Sequence, residues 1–281
     1  MGIIDGKMVA SQIKENITTE VQSLKKKTGK TPGLAVVLVG DDPASAVYVR
    51  NKNKTCNNIG FQSFENILPA NTSESELLNL IHDLNNDEKV NGILVQLPLP
   101  NHIASKKILE AINPQKDVDG FHLENVGRLV TGHSLFKPCT PAGIIKLLDK
   151  YDVEIEGKNA VIIGRSNIVG KPVAFLLLER NATVTICHSR TKNLSNLARS
   201  ADILIAAIGK PNFVTADMVK DNSVVIDVGI NRLAGKLVGD VDFSAVLKKA
   251  SLITPVPGGV GPMTIAMLME NTFQAFKNSL K

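Results

Sequence analysis

The stretch 160-AVIIGRSNIVGKPVAFLLLER-180 decides the fold. Its first four residues are apolar and mostly β-branched, which suits a buried strand; Gly164 to Gly170 form a turn, and VAFLLLE continues at helical spacing. Strand, glycine turn and helix in that order are the context a dinucleotide fingerprint requires. The fingerprint is irregular, because the order is Gly164, Ser166, Gly170 in place of GxGxxG. A small hydroxyl residue takes the close-approach position, and the last glycine comes one residue late. Unpaired N–H groups and the dipole at the helix start still offer a phosphate a seat. A tight turn without ligand would also account for the glycines, so the next strand end matters. It reads 186-ICHSRT-191 and carries no acid for a ribose 2′-hydroxyl. Ser189 and Arg190, with Arg165 in the turn, suit a 2′-phosphate, so the pattern favours NADP over NAD. Further on, 227-DVGIN-231 ends a strand at a glycine, which reads either as a simple strand exit or as one that places Ile230 near the nicotinamide end of such a cofactor.

Outward from this unit the same alternation repeats. LAVVLVG (34–40), FENIL (64–68) and GILVQL (92–97) form one series of apolar runs; AVIIG (160–164), TVTIC (183–187), DILIAAIG (202–209) and SVVIDVG (223–229) form another. Apolar strands separated by helices imply parallel sheets covered on both faces, hence an α/β fold. Between the series lies 113-NPQKDVDGFHLENVGRLVTGHSLFKPCTP-141, without clear period, which reads as the crossing between two domains. Thr140 reads as the N-cap, and Pro141 as the first-turn residue, of a helix over IIKLLDKY.

Composition narrows the function. The chain has 281 residues, 43% hydrophobic and 21% charged, enough for roughly two domains with sizeable cores. The net charge is +5, but apart from 25-KKKTGK-30 the cations are interspersed with acids and aromatics are only 4%, which argues against nucleic acid and for small anionic ligands. Three cysteines, Cys56, Cys139 and Cys187, include no CxxC, so neither a disulfide framework nor structural zinc is expected; a reducing cytoplasm fits. The N-terminus lacks export and myristoylation signals, and no apolar run approaches membrane-spanning length. The five histidines show neither HxxxH nor HxH spacing, so no metal is expected.

A second chemistry-bearing stretch is 47-VYVRNKNKTCNNIGF-61. Projected as a helix, Ala44, Ser45, Tyr48, Val49, Lys52, Thr55, Cys56 and Ile59 fall on one side, with Arg50 and Lys54 opposite. Lys52 lies mid-stripe. A lysine there often snorkels, but its central angle points to a partly desolvated amine, with a lowered pKa and a neutral fraction able to accept a proton. Tyr48, one turn earlier, is placed to orient that amine or lie against a flat ligand, or simply to pack. In 92-GILVQLPLP-100 the strand delivers Gln96 to its carboxyl end, where open α/β sheets bind ligands. A glutamine there can bond the lysine or a reacting water without competing for the proton, or simply close the strand as a polar terminus. In 116-KDVDGFH-122, Asp117 and Asp119 precede a glycine; this is a turn signal, and also a carboxylate suited to an amino-pyrimidinone edge. Finally 254-TPVPGGVGPMTIAMLMENTFQAFK-277 sets a rigid, side-chain-poor loop before a long apolar helix, so that backbone can approach a flat ring.

YVRNK, QLPLP, KDVDG, PCTP, GRSNIVGKP, DVGIN and TPVPGGVGPMT, in this order and across nearly the whole chain, resemble the bifunctional methylenetetrahydrofolate dehydrogenase/methenyltetrahydrofolate cyclohydrolases. The resemblance implies NADP-linked oxidation of 5,10-methylenetetrahydrofolate and hydrolysis of the methenyl product to 10-formyltetrahydrofolate, in a cytoplasmic homodimer of two-domain subunits. It implies a folate-binding catalytic domain from 1–139 with 258–281, and a Rossmann-like NADP domain over 140–257. Lys52, Gln96, Tyr48 and Asp119 would be its catalytic residues. Val95, Leu97, Pro257, Gly258, Gly259, Val260 and Gly261 would join them against the folate, and Gly164, Arg165, Ser166, Ser189 and Ile230 would hold NADP. A dehydrogenase for another acid substrate, or a non-catalytic NADP sensor, would share the nucleotide features but leave QLPLP and the glycine-proline loop unexplained.

Overall fold

The computed structural model describes residues 2–281, and of Ala44, one of the stripe positions above, it leaves the side chain outside the description. Along the chain the first elements are β1 (Gly2–Ile3), α1 (Gly6–Thr28), β2 (Gly33–Val39), α2 (Pro43–Ile59), β3 (Gln62–Leu68), α3 (Glu74–Asn86) and β4 (Gly92–Val95). There follow α4 (Ser105–Ala111), α5 (Leu123–Val130), α6 (Cys139–Lys150), β5 (Asn159–Ile163), α7 (Gly170–Glu179), β6 (Thr183–Cys187) and α8 (Leu194–Arg199). The last are β7 (Ile203–Ala206), β8 (Val224–Asp227), β9 (Asn231–Leu233), β10 (Lys236–Val238), α9 (Phe243–Val246), β11 (Leu252–Ile253) and α10 (Val260–Ser279). Two compact units emerge: one holds the residues up to Ser11 with Pro138–Met267, the other Gln12–Lys137 with Leu268–Lys281.

The first unit is built on a six-stranded sheet in the order β1-β11-β8-β7-β5-β6, parallel throughout. Strands β7 and β8 are buried at every residue, as expected of strands covered on both faces. Val161, Ile163, Leu204, Ala206, Val225 and Ile253 pack into one cluster with residues of α8 and α9. The opening residues join this sheet through β1, although the sequence grouped all of 1–139 together; a two-residue strand is too short to show a period. The antiparallel hairpin β9–β10 stands as a separate ribbon.

The second unit carries a parallel three-stranded sheet, β3-β2-β4, with Leu34 opposite Gly92 and Val37 opposite Val95. The central strand β2 is wholly buried. Leu77, Ile81 and Leu84 of α3 press one apolar stripe onto it, and each such side chain contributes about 1.5–3 kcal/mol on leaving water. Helix α3 starts at a capping box in which Ser73 and Glu76 bond each other's backbone N–H groups.

Two sequence expectations change here. The stretch 113–137 is not a linker but part of the second unit: Ile93 bridges Asp117, and 123-LENVGRLV-130 forms α5. Asp117 accepts from the N–H groups of Phe121 and His122 and from Asn125 Nδ2, which makes it the anchor of that helix start. Thr140 does not cap α6. The helix begins two residues earlier, at Cys139 with Pro138 at the N-cap position, and the Thr140 hydroxyl instead shares a hydrogen bond with Thr264 Oγ1 at 2.8 Å.

Candidate active site and nucleotide site

Helix α2 is fixed at both ends. Asp42 accepts from Ser45 N–H at 2.7 Å, Pro43 fills the first turn, and Gly60 closes the helix with φ 85°. Between them the expected stripe is turned inward: Ser45, Val49, Lys52, Cys56 and Ile59 are buried while Arg50 and Lys54 are exposed. Lys52 is only 8% exposed, and its Nζ donates to Gln96 Oε1 at 2.9 Å. Gln96 lies one residue past β4; its N–H bonds Val37 O and its Nε2 donates to Leu97 O at 2.7 Å, so the amide is oriented to present its oxygen to the lysine. The side chains read independently from a helix stripe and a strand end therefore meet. Tyr48, at 40% exposure, is not a core tyrosine and presents a ring to solvent one turn before Lys52.

The KDVDG segment runs beside β4, since Ile93 N–H bonds Lys116 O and Ile93 pairs in parallel with Asp117. That direction carries Asp119, partly buried, toward the carboxyl edge that bears Gln96. Of the neighbouring ionic groups, Lys116 donates to Leu84 O and Asp87 O and Asp117 anchors α5, so both are structural. Asn271 of α10, which the sequence reading passed over, donates to Val118 O and Lys137 O and so props the residue before Asp119. Burial pushes the Cys56 thiol up to about 12, which keeps it protonated and excludes it as a nucleophile. Among the described residues no group of His, Cys, Asp and Glu is arranged to hold a metal ion, and no helix is long and apolar enough to cross a membrane.

In the six-stranded unit Gly164, just after β5, has φ 131°, a conformation that disfavours any Cβ, and an added Cβ would overlap Ala207 O. The turn is therefore pressed against the loop after β7. Ser166 Oγ accepts from the N–H groups of Val169 and Gly170, so this hydroxyl shapes the turn into α7. Arg165 and Arg190 are both exposed, as is Ser189. The turn holding the latter two is organised by His188, whose N–H bonds Thr191 Oγ1 and whose Nδ1 accepts from Arg190 N–H. The edge of β6 has cations and no acid, a donor set that fits a 2′-phosphate. Ile230 is 47% exposed, and an added Cβ on Gly261 would touch its Cδ1 at 3.5 Å, so the hairpin and the glycine-proline loop adjoin. Lys7 N–H bonds Gly258 O, which holds that loop against the start of α1. Sequence reasoning missed two buried carboxylates of this unit, Asp227 and Asp240.

A parallel sheet with a glycine turn and a cationic second strand end defines a dinucleotide-binding α/β protein, and the other unit adds a buried lysine, Lys52, bonded to Gln96. Comparison with known proteins specifies the class. Residues 4–119 match the family described as tetrahydrofolate dehydrogenase/cyclohydrolase, catalytic domain, and residues 138–280 match its NAD(P)-binding domain. The chain belongs to the tetrahydrofolate dehydrogenase/cyclohydrolase family. It is 60% identical over 282 residues to the bifunctional protein FolD of Campylobacter hominis, covering 100% of this chain and 99% of that one. The crystal structure of the bifunctional FolD methylenetetrahydrofolate dehydrogenase/cyclohydrolase from Campylobacter jejuni superposes with a TM-score of 0.97 at 55% identity, covering 99% of each chain. The Trypanosoma brucei methylenetetrahydrofolate dehydrogenase-cyclohydrolase, in complex with NADP cofactor and an inhibitor, gives 0.96 at 40% identity, covering 99% of this chain and 98% of that one.

Proposed function

We propose that this chain is a bifunctional enzyme of one-carbon folate metabolism, an NADP-dependent methylenetetrahydrofolate dehydrogenase and methenyltetrahydrofolate cyclohydrolase. The single observation that carries the second activity is Lys52, withdrawn from water and bonded to Gln96 Oε1. NADP, when bound, supplies the hydride acceptor. Gly164, Arg165, Ser166, Ser189 and Ile230 are the residues proposed to hold it, with Arg165 and Ser189 beside its 2′-phosphate.

Hydride loss leaves a cationic carbon between two nitrogens, which needs only an oriented water and an acceptor for its proton. Water adds through its oxygen, Lys52 takes or relays the proton, and the bond to N5 breaks so that the formyl group stays on N10 and N5 is protonated. A neutral fraction of the amine is required, since a charged one would repel the cation. Gln96 keeps the amine aimed without a charge of its own. The proposed folate contacts are Tyr48, whose ring suits a flat ligand, Asp119, whose carboxylate suits an amino-pyrimidinone edge, Val95 and Leu97, and separately the residues Pro257, Gly258, Gly259, Val260 and Gly261. We also propose a cytoplasmic homodimer whose product serves purine biosynthesis, with the unit of Gln12–Lys137 and Leu268–Lys281 binding folate and the unit of the opening residues with Pro138–Met267 binding NADP. Purified protein mixed with 5,10-methylenetetrahydrofolate and NADP should show methenyl absorbance rising and then decaying; no methenyl formation would refute the dehydrogenase, and a stable methenyl plateau the cyclohydrolase.

A further inference from the structure

Asp227 and Asp240 are 2% and 0% exposed. Asp227 is the last residue of β8, and Asp240 follows the β9–β10 hairpin. Asp240 Oδ2 accepts from the N–H groups of Ile208 at 2.7 Å and Gly209 at 3.0 Å; its Oδ1 accepts from Lys210 N–H at 2.8 Å and Asn231 Nδ2 at 2.9 Å. Asp227 in turn holds Asp240, accepting from its N–H at 2.8 Å as well as from Gly229 and Val241 N–H at 3.0 Å each. An added Cβ on Gly229 would overlap Asp240 Oδ1, and one on Gly239 would overlap Asp227 Oδ2, so the two strands of chain interlock around the pair.

A buried carboxylate is tolerated only where donors replace its water, and the origin of these donors is informative. Ile208, Gly209 and Lys210 form the loop leaving β7, and Asn231 ends the segment that leaves β8 and carries Ile230. Both lie at the carboxyl edge of a parallel sheet, where ligands bind. The β7 loop begins at Ala207, the residue against which the Gly164 turn is pressed. One side chain thus ties together the loop behind the fingerprint turn and the segment bearing Ile230. A neutral amide could not replace it, because its single oxygen would leave two of the four N–H donors facing an NH₂ group.

We propose that Asp240, itself fixed by Asp227, is a positioning residue for the dehydrogenase reaction, setting residues 208–210 and the Ile230 segment in the geometry that receives NADP. This rests on the NADP reading, so calorimetric titration of the wild-type chain with NADP comes first; failure to bind there would count against that reading. Given wild-type binding, Asp240→Asn should bind NADP about tenfold more weakly or worse, with its NADP KM raised in step, since misplacement of about 1 Å has large effects. Methenyl hydrolysis measured without NADP should stay within about twofold. NADP affinity within about twofold of wild type would overturn the proposal, and so would equal losses of both activities accompanied by a lowered Tm. Should Asp240→Asn not fold, Asn231→Ala removes one of the four donors from a partly exposed position. It should weaken NADP binding about threefold at unchanged Tm, and undiminished affinity would overturn the proposal.

Discussion

Lys52 in the three-stranded unit and the Asp227–Asp240 pair in the six-stranded unit are both charges taken out of water, and their surroundings differ in kind. Asp240 meets three backbone N–H groups and a side-chain amide, and Asp227 three more backbone N–H groups. Such an arrangement is saturated: the acceptors are consumed by the chain itself, and the result is a fixed loop geometry. Lys52 meets the oxygen of Gln96, a neutral amide held in place by a bond to the neighbouring carbonyl of Leu97. A neutral partner orients an amine without clamping its proton. Burial alone therefore does not distinguish the two centres; on the proposed function, the chemistry of the groups around each one does.

The largest effect expected from this contrast is at Lys52. Lys52→Met keeps the bulk of the chain while removing the proton acceptor, and should reduce methenyl hydrolysis about 10³-fold, with the dehydrogenase reduced much less. Stopped-flow measurement of each step alone checks this; equal, small losses in both would erase the distinction. The next effect is one of stability. Burial, reinforced by the Asp240 charge and only partly offset by the N–H groups of Asp240, Val241 and Gly229, pushes the Asp227 carboxyl up to about 6. Its ordinary value is about 3.8. The folded chain then binds a proton more readily than the unfolded chain between those values, so this group's contribution falls as pH rises from about 4 to about 6, by about 3 kcal/mol in all. Urea unfolding of wild type and Asp227→Asn across that window should show the wild type losing stability relative to the variant as pH rises. A parallel pair of curves would show the carboxyl to be unperturbed.

The same contrast explains what could be read from the sequence. Lys52 was legible because the stripe Ser45, Val49, Cys56 and Ile59 brackets it at helical spacing, and the structure buries that stripe. Gln96 was legible because an apolar strand followed by prolines has a definite end, and β4 stops at Val95. Their meeting needed only the general rule that such sheets work at their carboxyl edge. Asp240 gave no such signal. In 239-GDVD-242 it reads as a turn, and the backbone N–H groups it accepts from lie 30 to 32 residues earlier in the chain. The two-residue strands β1 and β11 escaped for a related reason, since their pairing is entirely long-range. Helix α5 was hidden by the turn signals on both sides of it, although its leucines and valines sit on one face.

The smallest predicted effect concerns a charge that is neither saturated nor desolvated. Arg165 stands exposed in the turn after β5, where an arginine is ordinarily a solvated surface cation. If it meets a 2′-phosphate, Arg165→Ala should weaken NADP binding about tenfold while leaving NAD binding within about twofold, because a guanidinium–phosphate bond is charge-assisted and NAD has nothing to place there. The difference should shrink as salt is raised, as expected of an exposed pair. Neither buried centre should respond in that way: Asp240→Asn alters loop geometry and so is expected to weaken both dinucleotides alike. Titrating the two variants with NADP and NAD at low and high ionic strength therefore separates a charge that recognises the ligand from one that builds the surface it lands on, and equal NADP and NAD losses for Arg165→Ala would move that arginine into the second group.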